Sequence, residues 1–167
     1  GGYGRSSRLD TALGRSFARL RTGLNGVKFH VPAASLIDFD PQEILLCVGR
    51  DLYCGINHVG AETATLCFLE RRSVGDIPPR ARIRALAEAN PGFARIMTAA
   101  ALRSIEKAPV HGSGNIYFGP RQVVERGILM VGDAGGTIAP LAGDGIGMAL
   151  QGAVLLGRIL SDERFAR

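Results

Sequence analysis

The chain has 167 residues, of which 46% are hydrophobic and 21% charged, a balance that excludes a disordered polypeptide and allows one domain or two small lobes. No apolar run reaches the roughly 18 residues that cross a bilayer as a helix, and no signal-peptide pattern opens the chain, so only a peripheral membrane contact stays open. The net charge of +5 does not make a nucleic-acid surface, because the basic clusters at 5–21 and 80–84 hold a single aromatic, Phe17, rather than the interleaved series of a stacking surface, and the chain has no Trp.

In chain order, residues 8–20 place Leu9, Leu13, Phe17 and Leu20 on one side of a helical wheel, which Gly14 weakens. Residues 25–31 alternate, with Val27, Phe29 and Val31 on one face and Lys28 and His30 on the other, which predicts a half-buried strand. Residues 44–48 and 52–59 are two further strands joined through Gly49, Arg50 and Asp51, and Gly60 and Ala61 turn into a fourth, 63–69, with Ala64, Leu66 and Phe68 sharing a face. Four strands in succession with short turns imply an antiparallel sheet.

Pro78 and Pro79 then open a helix running to Ala89, and Asn90, Pro91 and Gly92 break it. A second helix carries Phe93, Ile96, Met97 and Ala100, and strand-like pieces resume at 105–110 and 116–118. Residues 127–131 form a short apolar run, as expected of a buried central strand, and it ends in Gly132, Asp133, Ala134, Gly135 and Gly136. After Pro140, Gly143, Asp144 and Gly145 the pattern becomes helical, with Ile146, Ala149, Leu150, Ala153 and Val154 along one face.

A strand, a glycine-rich loop with one acid and a long helix together suit a flat or phosphorylated ligand. The glycines at 132, 135, 136, 143, 145 and 147 let backbone amides approach closely, and the helix beginning near Gly145 offers unpaired N–H groups and a partial positive charge. Asp133, at the carboxyl end of its strand, stands where open sheets present ligand-contacting groups. A carboxylate there suits the hydroxyls of a polyol better than it suits a phosphate.

The run at 127–150, GILMVGDAGGTIAPLAGDGIGMAL, resembles the second FAD motif of flavoprotein monooxygenases and of the geranylgeranyl reductase-like oxidoreductases. That resemblance implies FAD as cofactor and places Gly132, Asp133, Ala134 and Gly135 in its binding loop, with Asp133 on the ribityl chain. It further implies that Pro140 lies near the isoalloxazine ring, with the backbone of Gly143, Gly145, Ile146 and Gly147 around its N1 and O2 atoms. The opening segment at 1–7, GGYGRSS, is similar to the family's G-A-D-G-x-x-S pattern, with Tyr3 in place of the Asp. NAD(P)H is thereby a candidate electron donor, although the departure at Tyr3 argues for reduction by a separate partner. The antiparallel stretch at 28–71 is similar to the superfamily's substrate-domain sheet, in which Tyr53, Asn57 and His58 are the polar members of a hairpin.

The expected fold is mixed α/β: the closing part of an FAD-binding Rossmann-like domain with an antiparallel substrate domain. The expected boundaries are 1–22 and 105–167 for the FAD part and 23–104 for the substrate part. The family's first motif, GxGxxG after a strand, is absent, and the opening residue is Gly, so the chain reads as a C-terminal piece expected to bind FAD weakly or not at all by itself. The expected activity is a cytoplasmic FAD-dependent oxidoreductase acting on a small apolar organic substrate, as a reductase of isoprenoid-like double bonds. The alternatives are a flavin-dependent monooxygenase and a non-catalytic module that binds a lipid or polyol. Cys47, Cys54 and Cys67 match no zinc or redox spacing and read as buried thiols, and His30, His58 and His111 are scattered singly, so no metal site is expected.

Overall fold

A computed structural model of the chain describes residues 8–71 and 77–162. The expectation placed on 1–7, including Tyr3, lies outside the described residues. In chain order the elements are α1 (Arg8–Leu13), β1 (Leu24–Pro32), β2 (Ile44–Gly49), β3 (Leu52–His58) and β4 (Thr63–Arg71), followed by α2 (Pro79–Ala89), α3 (Pro91–Ile96) and α4 (Ala99–Lys107). The chain continues through β5 (His111–Gly114), β6 (Val124–Glu125), β7 (Ile128–Leu129) and α5 (Gly145–Ser161). It divides into two units, Gly23–Ile116 and a discontinuous one of Gly1–Thr22 with Tyr117–Arg167.

In the continuous unit, β1 to β5 form an antiparallel sheet in the order β2-β3-β4-β1-β5. The period-two alternation acts as expected: Phe29, Val31, Ala64, Leu66, Phe68, Cys54 and Ile56 turn to one face and are buried. That face is covered by Ile83 and Leu86 of α2, Phe93 of α3, and Ala101 and Ile105 of α4, all in one core. Fully burying side chains the size of Phe29, Phe93 or Leu66 stabilises by about 1.5–3 kcal/mol each. Two polar links fasten the helices: Arg82 of α2 pairs with Glu70 of β4, and Arg80 donates to the carbonyls of Ile105 and Ala108 at the end of α4.

The second expected helix is two. Asn90 caps α3 by accepting from the Phe93 amide, and Thr98 begins α4 by accepting from the Ala101 amide. The strand expected at 105–110 is corrected accordingly, since Ile105 is a core residue of α4 and the following strand is His111–Gly114. Residues 116–118 form no strand, and the second unit boundary falls after Ile116 rather than after 104.

The other face of the sheet carries none of the core-forming residues of α2, α3 and α4. Its pairing places Ile44, Asn57, Thr65 and His30 in one row and Leu46, Gly55, Cys67, Lys28 and His111 in the next. Ile44, Leu46 and Val48 are exposed at the β2 edge, while Thr65 bonds to Nδ1 of His30 at 2.9 Å. Cys67 lies on this face and is exposed, which corrects the expectation of three buried thiols. Among the described residues no group of His, Cys, Asp and Glu could hold a metal ion. None of their helices is long and apolar enough to cross a membrane.

In the discontinuous unit, Gly14 takes a left-handed φ of 68° and ends α1 at Leu13, so the single helix expected over 8–20 becomes α1 and a short 3₁₀ turn at Ser16–Arg19. The apolar run at 127–131 is not a buried central strand. Only Ile128 and Leu129 pair, with Glu125 and Val124, and Ile128, Leu129 and Val131 are exposed while Met130 is buried. No strand other than β6 is available to this run among the described residues of the unit, and without flanking strands an apolar run cannot be covered on both faces. The long helix α5 is apolar nearly all round yet buries none of its described residues, and Ile146, Leu150 and Val154 are exposed.

Candidate functional site

The loop after β7 is a tight 3₁₀ turn, Gly132–Ala134, in which the amides of Gly135 and Gly136 both donate to the Gly132 carbonyl, at 2.9 and 3.1 Å. Gly132 has a φ of 58°, and a Cβ added there would lie 3.0 Å from the Ala149 side chain. Glycine at this position therefore serves both the backbone turn and the close seating of α5 on the loop.

Pro140–Ala142 makes a second 3₁₀ turn that Gly143 ends in the left-handed region at φ 73°. Asp144 sits at the N-cap of α5, but its side chain makes no capping hydrogen bond. The opening amides of α5 are thus left without a side-chain acceptor, together with the positive end of the helix dipole. A Cβ built at Gly136, Gly143, Gly145 or Gly147 meets nothing within 4 Å. The glycines at 143, 145 and 147 leave the backbone without side chains at those positions, and Asp133, Pro140 and Ile146 are exposed.

A groove of about 740 Å³ lies in the same unit, between the β6–β7 hairpin, the loop and α5. Its walls are mostly aliphatic, including Val123, Leu129, Leu155 and Ile159, with Arg121 and Thr137 as polar members. Gly132 and Gly135 reach its rim, whereas Asp133, Ala134, Pro140, Gly143, Gly145, Ile146 and Gly147 do not line it. The sequence-predicted residues thus separate into two sets: the rim glycines, and those that run from Asp133 to the start of α5.

Two arginines without any motif signal in the sequence hold this loop from behind. Arg15, 5% exposed, donates to the carbonyls of Ala134 and Gln122, each at 2.8 Å, and pairs with Asp10 at 3.0 Å and Glu125 at 3.1 Å. Arg121 donates through one terminal nitrogen to the Asp133 carbonyl and through the other to the Tyr117 carbonyl at 3.1 Å. Both guanidinium groups lie over the Phe17 ring, at 4.8 Å for Arg15 and 4.2 Å for Arg121, and Phe17 stacks on Tyr117 at 5.6 Å. Burial lowers the Arg121 pKa from its ordinary value and Arg15 adds to that, against Asp10 and Asp133, yet a guanidinium stays charged throughout. The acceptors are main-chain carbonyls, so no residue pattern announces these contacts.

Of the polar hairpin residues, Tyr53 and Asn57 lie on the sheet face opposite the core, whereas His58 follows the buried alternation of β3 and packs on Phe39 at 4.4 Å. The Tyr53 hydroxyl and His58 Nε2 are buried without a hydrogen-bond partner. Nothing in this arrangement assigns a catalytic acid or base.

No family model matches the chain, and no curated protein does. Solved structures do share its fold. A variant of PqsL from P. aeruginosa matches with a TM-score of 0.59 and 18% identity over 96% of this chain and 44% of that one. HpxO from Klebsiella pneumoniae, complexed with FAD and uric acid, matches with a TM-score of 0.53 and 20% identity over 87% of this chain and 38% of that one. The peptidyl tryptophan dihydroxylase QhpG matches with a TM-score of 0.53 and 21% identity over 89% and 34%. The chain thus spans less than half the length of each of these three proteins. Its described elements are arranged as part of the mixed α/β fold of these proteins.

Proposed function

We propose that this chain is the flavin-embracing and substrate-lobe portion of an FAD-dependent oxidoreductase. One observation carries the reading: a Gly-Asp turn, a left-handed Gly143 and a start of α5 that Asp144 does not cap and that has glycine at 145 and 147 follow one another along residues 132–147. On this reading Asp133 accepts hydrogen bonds from ribityl hydroxyls, with Gly132, Ala134 and Gly135 shaping its turn. Pro140 lies beside the ring, and the backbone of Gly143, Gly145, Ile146 and Gly147 faces the N1 and O2 edge. Bound FAD would supply electron or hydride transfer, and the protein would supply position and electrostatics. The start of α5 would stabilise the negative charge that reduction places on the ring, by an amount of order 0.3–1 kcal/mol for a helix dipole.

Residues 23–116 are proposed as the substrate lobe, because the sheet face opposite the core combines exposed aliphatic side chains at β2 with polar Tyr53, Asn57, Thr65 and His30. Such a face suits a small, mostly apolar organic molecule with a few polar groups. Between the two reactions, hydroxylation with molecular oxygen is the better-supported one, since a dihydroxylase is among the proteins of this fold. Saturation of an isoprenoid-like double bond is the second reading.

The test is reconstitution of the full-length protein with FAD. Tight binding with a visible flavin spectrum, reduced by Asp133→Ala, is the expected result. Absence of binding by the parent sinks the proposal. Oxygen consumption that rises with an added aromatic substrate separates hydroxylation from double-bond reduction.

A further inference from the structure

We infer that Arg121, seconded by Arg15, is a positioning residue that turns the Asp133–Ala134 peptide so that its amide and the adjoining carboxylate face the ligand. This rests on the FAD reading above and extends it to residues remote in sequence from the loop.

The Asp133 carbonyl accepts from Arg121 and the next carbonyl, of Ala134, accepts from Arg15. Two successive carbonyls are therefore drawn toward one layer formed by Arg121, Phe17, Tyr117 and Arg15. In a trans peptide the N–H points opposite to the C=O, and the described chain has no cis peptide. Holding the Asp133 carbonyl thus turns the Ala134 N–H to the loop's other side. The Gly135 and Gly136 amides already donate to Gly132, so the Ala134 N–H is, with that of Asp133, an amide this turn can present.

The layer behind the loop is more than packing. Two guanidinium groups share the ring of Phe17 despite their like charge. Arg15 is neutralised by Asp10 and Glu125, whereas the terminal nitrogens of Arg121 donate to the main-chain carbonyls of Asp133 and Tyr117. A charge-assisted bond to a carbonyl is a stronger restraint on peptide orientation than a neutral one. Arg121 Nε is itself buried without a partner, so the side chain is held by its two terminal nitrogens and the aromatic rings.

The experiment compares full-length parent, Arg121→Ala and Arg121→Lys proteins in FAD titration of the apo form, followed by quenching of flavin fluorescence, with thermal midpoints of the apo forms beside it. Arg121→Ala is expected to weaken FAD by about tenfold or more, as befits loss of a charge-assisted hydrogen bond. Added methylguanidinium should restore part of the affinity, and Arg121→Lys should fall between the two. Rescue is a result that mere loss of folding stability does not produce. Binding by Arg121→Ala within about twofold of the parent overturns the inference while leaving the FAD reading intact. Failure of the parent itself to bind FAD overturns both. Should Arg121→Ala not fold, Arg121→Lys decides: parental affinity overturns the inference, and weakened affinity with an unchanged apo midpoint supports it.

Discussion

The Glu70 carboxylate on β4 lies 3.1 Å from Nε of Arg82 on α2, with the Glu70 side chain 6% exposed and that of Arg82 22%. The Nε–H is not aimed at the oxygen, so the attraction is coulombic rather than a hydrogen bond. This pair fastens the first helix of the lobe to the middle of its sheet. Glu70→Ala leaves a guanidinium that can still reach water, and we expect a loss of about 1–3 kcal/mol in urea unfolding. An unchanged midpoint would show that the apolar contacts of Ile83 and Leu86 hold α2 unaided.

Phe93 is the larger stake. Its ring is fully buried and meets Phe68 edge-on at 6.5 Å, while its amide is the donor to the Asn90 cap. Phe93→Ala is expected to destabilise by about 3–5 kcal/mol, the range for emptying a buried aromatic site. Phe93→Leu should lose markedly less. Equal losses for the two would contradict the buried, cavity-forming role.

At the start of α5, Gly147→Asp should fit without a clash, because a Cβ there meets nothing within 4 Å. A carboxylate in the first turn is favourable to the helix itself, so the thermal midpoint should hold or rise slightly. The same charge would oppose added negative charge on a neighbouring ring, so the flavin reduction potential of the full-length protein should fall. Equilibration with a reference dye reads this directly, and an unchanged or raised potential removes α5 from the flavin's surroundings.

The thiols should separate by reactivity. Cys54 is fully buried, and burial first, then Cys47 and Cys67, pushes its pKa far above the ordinary range. Cys67 is exposed; burial raises its pKa and Lys28 opposes that rise. Alkylation of the native protein should therefore modify Cys67 first, increasingly fast as pH passes the ordinary thiol value, with Cys54 protected until unfolding. The sign for stability follows. A thiol whose folded pKa is raised keeps its proton longer in the native state, so its contribution is present below the unfolded pKa and is lost as pH rises toward the folded one. Labelling of Cys54 ahead of Cys67 would contradict the sheet's facing.

The sheet lobe was legible because alternation with one buried face reports itself directly: Phe29, Val31, Ala64, Leu66 and Phe68 repeat every second residue and all point to the core. Residues 105–110 misled because Ile105, Ala108 and Val110 read as a strand. Thr98 as N-cap and the Ala101–Ile105 spacing were the helical signals. Residues 127–131 misled for a different reason, since an apolar run becomes a central strand only when other strands flank it. The turns at 132–134 and 140–143 were legible from glycine and proline spacing, which constrains the backbone residue by residue. Arg15 and Arg121 were not, because a carbonyl acceptor has the same chemistry whatever side chain it belongs to.

Arg15 reaches across 107 residues to Gln122 and 119 to Ala134. During synthesis this side chain emerges long before its acceptors, while the strand pairings of β1 to β5 are made within residues 23–116. The sheet lobe is thus able to fold on the ribosome as a self-contained insertion, and the discontinuous unit closes only after the last third of the chain has been made. The strap that Arg15 lays on the glycine loop thus forms only once Ala134 has been made, after the strands of the lobe.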